Sequence, residues 1–83
     1  MIPLNPEALL GRKETAVALT EAGFKVSAET LTTKASRGGG PPYQLFGQRA
    51  LYKWGDSLHW ARSRLSSPRR TAAEHAALAD EVA

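Results

Sequence analysis

The chain has no cysteine among its 83 residues, which removes disulfides and thiolate metal sites together. Such a composition fits a reducing compartment, and the cytoplasm is the expected location. Long apolar runs are also missing: none approaches the roughly 18 residues that read as a membrane span. The opening Met1-Ile2-Pro3-Leu4-Asn5-Pro6 has no cationic stretch ahead of an apolar one, so a secretory signal is not expected. Histidine is confined to His59 and His75, and aspartate to Asp56 and Asp80. No histidine pair has metal-ligand spacing. The run Gly38-Gly39-Gly40 lacks the Gly-Lys-Ser/Thr ending of a phosphate loop. A fold of this size also has little room for an enclosed ligand pocket. An enzyme is therefore not expected, nor is a cofactor, a metal or a small-molecule substrate.

What the chain does have is asymmetric charge. Its formal net charge is +3 and its pI about 9.7. All eleven lysines and arginines lie at or before Arg70. The last stretch, 71–83, carries Glu74, Asp80 and Glu81 and no base. A basic body with a short acidic tail suits a polyanionic partner, and a merely soluble basic surface is the alternative.

Local signals divide the chain into a lead-in over residues 1–11, one domain over 12–66 and a linker and tail over 67–83. Pro3 and Pro6 discourage helix in the lead-in, from which Leu9 and Leu10 can fold onto a core. Arg12 to Ala22 is rich in helix formers, with Ala16 and Leu19 on one face and Gly23 placed for a left-handed C-terminal cap. A second helix is expected from Ser27, a preferred N-cap, to about Arg37. Val26 and Leu31 have the spacing of a hydrophobic staple. Two aromatic-rich runs, Tyr43 to Phe46 and Ala50 to Tyr52, flank Gly47-Gln48-Arg49 and read as a β-hairpin. A third helix is expected from Trp54 to Leu65, with an apolar stripe at Trp54, Leu58, Ala61 and Leu65. Residues 71–83 are alanine-rich, but a helix of roughly a dozen residues is marginal alone in water. Two short helices joined by a four-residue glycine turn, then a hairpin, then a helix, is the order of a small α+β winged helix-turn-helix with a two-stranded wing after the second helix.

The blocks Leu10-Gly-Arg-Lys-Glu-Thr-Ala-Val-Ala-Leu19, Ser27-Ala-Glu-Thr-Leu31, Arg37-Gly-Gly-Gly-Pro-Pro-Tyr43 and Phe46-Gly-Gln-Arg49, with Tyr52, carry a resemblance over about residues 9–65. The chain resembles the MerR-like, AlpA/excisionase group of winged helix-turn-helix proteins. With Ala22-Gly-Phe24, Tyr52-Lys-Trp-Gly-Asp56 and Ser67-Pro-Arg-Arg70, it looks most like excisionases, or recombination directionality factors, of rhizobial integrative and conjugative elements. Arg37 to Tyr43 is the most specific block. The resemblance implies binding and bending of attachment-site DNA, which turns a tyrosine integrase from integration toward excision, with self-association of the protein along the DNA. Two departures stand out. Gly11 occupies a place where Ser or Thr often caps the first helix, and Lys34 one where a large apolar residue is common.

On a wheel of about 100° per residue with Leu31 at 0°, Thr32, Ser36, Thr33 and Arg37 fall near 100°, 140°, 200° and 240°. That polar face suits a major groove, with Arg37 reaching guanine or a phosphate. Glu29, near 160° on the same wheel, opposes phosphates unless it accepts from cytosine. Ser27, Thr30 and Lys34 complete the expected DNA-contacting set on this helix. Gln48 and Arg49 at the hairpin tip, Arg12 and Lys13 at the first helix N-terminus, and Arg69 and Arg70 in the linker are the remaining candidates. The competing explanation for all of them is ordinary solvated surface. Tyr43, Phe46, Tyr52, Trp54 and Trp60 are expected to pack in the core rather than stack on single strands; Trp60, off the apolar stripe, is the exception that can cover the hairpin or meet another protomer. The function classes to separate are an excisionase, a transcription regulator of a mobile element with the same DNA chemistry, and a protein-interaction module that binds no DNA.

Overall fold

The computed structural model describes residues 2–68. In chain order the elements are β1 (Leu9–Gly11), α1 (Arg12–Glu21), α2 (Ala28–Arg37), β2 (Gln44–Phe46), β3 (Arg49–Lys53) and α3 (Trp54–Ser63). Among the described residues, three helices therefore accompany one three-stranded antiparallel sheet of order β1-β3-β2.

The sheet is larger than the expected two-stranded hairpin. The supposed lead-in supplies the third strand, pairing Leu9 with Lys53, Leu10 with Tyr52 and Gly11 with Leu51. The preceding residues also close α3. The N–H groups of Trp54 and Gly55 donate to the carbonyls of Ala8 (2.9 Å) and Pro6 (2.8 Å). A helix N-terminus leaves such donors without intrahelical partners. Here Lys53, the N-cap, offers no side-chain cap, and the backbone of residues 6–8 takes its place.

Both expected punctuation marks around the first helix turn appear. Gly23 adopts φ +105°, which a residue with a Cβ rarely adopts. Its N–H donates to Thr20 O and the Phe24 N–H to Leu19 O, the paired bonds of a Schellman end. Thr20 then clasps the turn, its hydroxyl donating to Val26 O and accepting from Val26 N–H. Ser27 caps α2 by accepting from the Thr30 N–H at 3.1 Å.

The core centres on Ala18, Leu19, Trp54 and Ala61, with Leu10, Phe24, Val26, Leu58 and Trp60 packed around them. Leu31 and Tyr52 are fully buried as well. Each fully buried leucine contributes roughly 1.5–3 kcal/mol by leaving water. Three expectations about the core fail. Leu65 lies beyond α3 and is exposed, because the helix ends before the stripe reaches it. Tyr43, just before β2, is partly exposed with its ring beside Tyr52 and Arg12, and Phe46 is 76% exposed because β2 lies at the sheet edge. Trp60 is half-buried and donates its indole N–H to Gly39 O at 2.8 Å, fastening the glycine loop to α3.

Candidate nucleic-acid interface

The burial of Leu31 turns one face of α2 inward and leaves the other to solvent. Thr32, Thr33, Ser36 and Arg37 are all exposed, as the wheel requires, and so is Glu29. Thr33, Ser36 and Arg37 make no side-chain hydrogen bond with other described residues, so their donors and acceptors face outward. The remaining hydroxyls of the helix are committed within the protein. Ser27 Oγ serves the cap and exchanges a 3.0 Å hydrogen bond with Thr30 Oγ1. Thr32 Oγ1 donates to Ala28 O at 3.0 Å.

Arg12, the first residue of α1, reaches across to this face. Its Nε donates to Tyr52 Oη at 2.9 Å and its Nη1 to Thr32 Oγ1 at 3.5 Å. The guanidinium carbon lies 5.7 Å from the Tyr43 ring centre and 5.8 Å from that of Tyr52, whose centres are 5.6 Å apart. A planar cation held over aromatic faces keeps its charge while losing little freedom on binding an anion. Arg12 thus joins α1, α2 and the hairpin at one point, with Nη2 and part of Nη1 still able to donate.

The other sequence candidates are distributed more widely. Lys13 is exposed and lines a shallow groove with Val17, Ser27 and Ala28, next to the start of α2. Lys34 is half-buried on the flank of α2 that faces α3, in a cleft with Phe24, Val26, Trp60 and Arg64. A side chain at Gly40 would meet Lys34 Cβ at 2.9 Å, so the glycine loop runs tightly over that flank. Lys34 also lines a shallow hollow with Ser27, Glu29, Thr30 and Thr33, so it sits at the border between that flank and the outward face.

At the hairpin, Phe46 faces Arg49 on the last rung, and Gly47 and Gln48 form the two-residue tip. Gly47 has φ +65° while Gln48 does not have positive φ, which matches a tight hairpin turn with glycine at its first central position. Gln48 is exposed at the tip. Arg49 is exposed but folds back: its Nη2 lies 3.5 Å from where a Cβ at Gly11 would sit. Its charge rests beside the start of α1 rather than beyond the tip. Arg69 and Arg70, and the tail from Thr71 to Ala83, lie outside the described residues.

Two features of this surface have little trace in the sequence pattern. Tyr52 reads as a core aromatic and is one, at 1% exposure, yet its hydroxyl also positions Arg12. Leu45 and Phe46 read as strand residues, and their exposure follows only from β2 being an edge strand that overhangs the helices. Among the described residues, no group of three or more His, Asp or Glu side chains is placed to hold a metal ion, and no helix is long and apolar enough to cross a membrane. Comparison of the chain with family models, curated proteins and solved structures gave no match.

Proposed function

We propose that this chain is a winged helix-turn-helix protein of the cytoplasm that binds duplex DNA, with α2 as the helix entering the major groove and β2-β3 as the wing. The observation that carries the reading is the outward face of α2. Thr33, Ser36 and Arg37 are exposed with no side-chain partner inside the described fold, while Arg12 reaches Thr32 on the same helix and Lys13 lies by its start. Such a face offers donors that match base edges, flanked by charge that matches phosphates.

Within this reading the protein acts as an excisionase. Copies bind side by side, bend attachment-site DNA and place a tyrosine integrase for excision. The support is the block Arg37-Gly-Gly-Gly-Pro-Pro-Tyr43 with its flanking motifs, and the order helix, helix, hairpin, helix. Bending costs on the order of 1–6 kcal/mol, which contacts from several protomers offset.

Titration of duplex DNA at two salt concentrations tests the first step. If Arg12, Lys13, Lys34, Arg37 and Arg49 each meet a phosphate, affinity falls about several hundredfold between roughly 50 and 200 mM salt. An affinity for duplex DNA that does not change with salt, or none at all, favours an interaction module that uses no DNA. Excision assays with the integrase then separate an excisionase from a promoter-bound regulator.

A further inference from the structure

Leu65 continues the stripe of Trp54, Leu58 and Ala61, yet it stands exposed at the rim of a cleft. The cleft lies between α2 and α3, beside the glycine turn that follows α1, and has a volume of about 430 Å³. Phe24, Val26, Trp60 and Leu65 form its apolar lining. Trp60 is held in place by the bond from its indole N–H to Gly39 O, so that wall keeps its shape. Lys25, Lys34 and Arg64 belong to the same lining, and no described acid does. None of the three cations is ion-paired with a described residue, in contrast to Lys53, which meets Glu7 at 3.3 Å. An apolar lining set among unpaired cations suits an occupant that presents apolar and acidic groups on one side.

The chain itself carries such a segment. Residues 71–83, outside the described part, hold Glu74, Asp80 and Glu81 and no lysine or arginine. On a helical wheel of about 100° per residue with Glu74 at 0°, Leu78 falls near 40°, Val82 near 80° and Glu81 near 340°. Two aliphatic side chains and two carboxylates therefore share one face. Such a stretch is marginal as a helix alone in water and gains stability by packing that face. Its place in the chain points the same way. Leu65 and Ser66 line the cleft, and residues 66–70 then lead to Thr71. That connection spans at most about 20 Å, so the tail meets its own cleft at an effective concentration on the order of millimolar. The tail of a second copy competes only at the concentration of the protein in solution.

We infer that residues 71–83 dock in the cleft of their own chain, with Leu78 and Val82 covering Leu65 and Trp60, and Glu74 and Glu81 meeting Lys25, Lys34 and Arg64. The docked segment leaves Thr33, Ser36 and Arg37 uncovered, so the inference goes beyond the DNA reading and does not depend on it. It also gives the charge asymmetry of the chain a role, because the acids of the tail neutralise cations that lie off the outward face of α2.

The lack of cysteine makes the test direct, since one introduced thiol carries one label. Ala76→Cys, near 200° on the same wheel and so opposite the docking face, takes a nitroxide, and nuclear magnetic resonance of the full chain reads what it approaches. With isotope and nitroxide on the same molecule, the Trp60 indole N–H and the amides of Phe24 and Lys25 lose most of their intensity at every protein concentration. With the two on different molecules of a mixture, these signals keep it. Leu78→Asp restores the signals, and so does Lys25→Glu with Arg64→Glu, both exposed positions where reversal spares the fold. Adding Glu74→Lys and Glu81→Lys to that pair removes the signals again. Loss of intensity only in the mixture gives the cleft to a second copy and overturns the inference. Loss that survives Leu78→Asp and the charge reversal overturns it as well. Full intensity throughout also overturns it, and a shift of the same signals on adding duplex DNA then assigns the cleft to phosphates.

Discussion

Arg12 is the side chain on which three elements meet, and its chemistry is not interchangeable with that of lysine. Its Nε is committed to Tyr52 and its plane lies against two aromatic rings. Tyr52→Phe removes one hydroxyl and leaves a partly buried guanidinium nitrogen without its acceptor. Urea unfolding should show a loss of about 1–2 kcal/mol, with an accompanying loss of DNA affinity as the cation becomes mobile. Ser57 presents the opposite case. Its Oγ is buried and has no hydrogen-bond partner among the described residues. Ser57→Ala should raise stability by about 1 kcal/mol, read as a higher urea midpoint with unchanged slope. The apolar stripe read from spacing, Trp54, Leu58, Ala61 and Leu65, passed over Ser57, which is buried with Trp54 and Ala61. Its polarity concealed it. The exposure of Phe46 was not legible at all, because alternation along a strand says which face a residue takes and not whether anything covers that face.

The helices were readable because their ends are written locally. Ser27 caps α2 and Gly23 closes α1 through hydrogen bonds spanning only a few residues. The three-residue β1 had no such signature. It is too short to display period two, and its partner lies some forty residues along the chain. The capping of α3 by Pro6 and Ala8 was hidden for the same reason. That junction gives a test at the level of an element. A Cβ at Gly55 would lie 3.0 Å from Pro6 Cβ and 3.1 Å from Pro6 O, against backbone that also accepts its N–H. In an open helix, Gly→Ala stabilises by about 1 kcal/mol. Here overpacking of about 1–3 kcal/mol opposes that gain, so Gly55→Ala should lower the melting temperature. An unchanged or raised melting temperature contradicts the tight junction.

Among the described residues, Arg12, Lys13, Arg37 and Arg49 border the face of α2, the start of α1 and the hairpin, while Lys25 and Arg64 lie in the cleft between α2 and α3. Arg37→Ala should weaken duplex binding by about 1–3 kcal/mol and relax base preference at one position. His59→Ala, on the exposed side of α3, should leave binding unchanged; competition titrations on the same duplex compare the two. Overall charge was visible in the sequence, but the gathering of Arg12 against Thr32 and Tyr43 required the β1–β3 pairing, a contact between distant parts of the chain. That pairing has a further consequence. β1 passes into α1, and β3 into α3, with no residue between. Each helix thus inherits its rotation from the ladder like a gear keyed to a shaft. One residue inserted between Leu9 and Gly11 would change which of these side chains faces inward and advance α1 by about 100°. Ala16 and Leu19 would be carried off the core together, and Arg12 would be swung away from Tyr52. The molecule should therefore tolerate polar substitution of the exposed Leu9 and not a single insertion in β1.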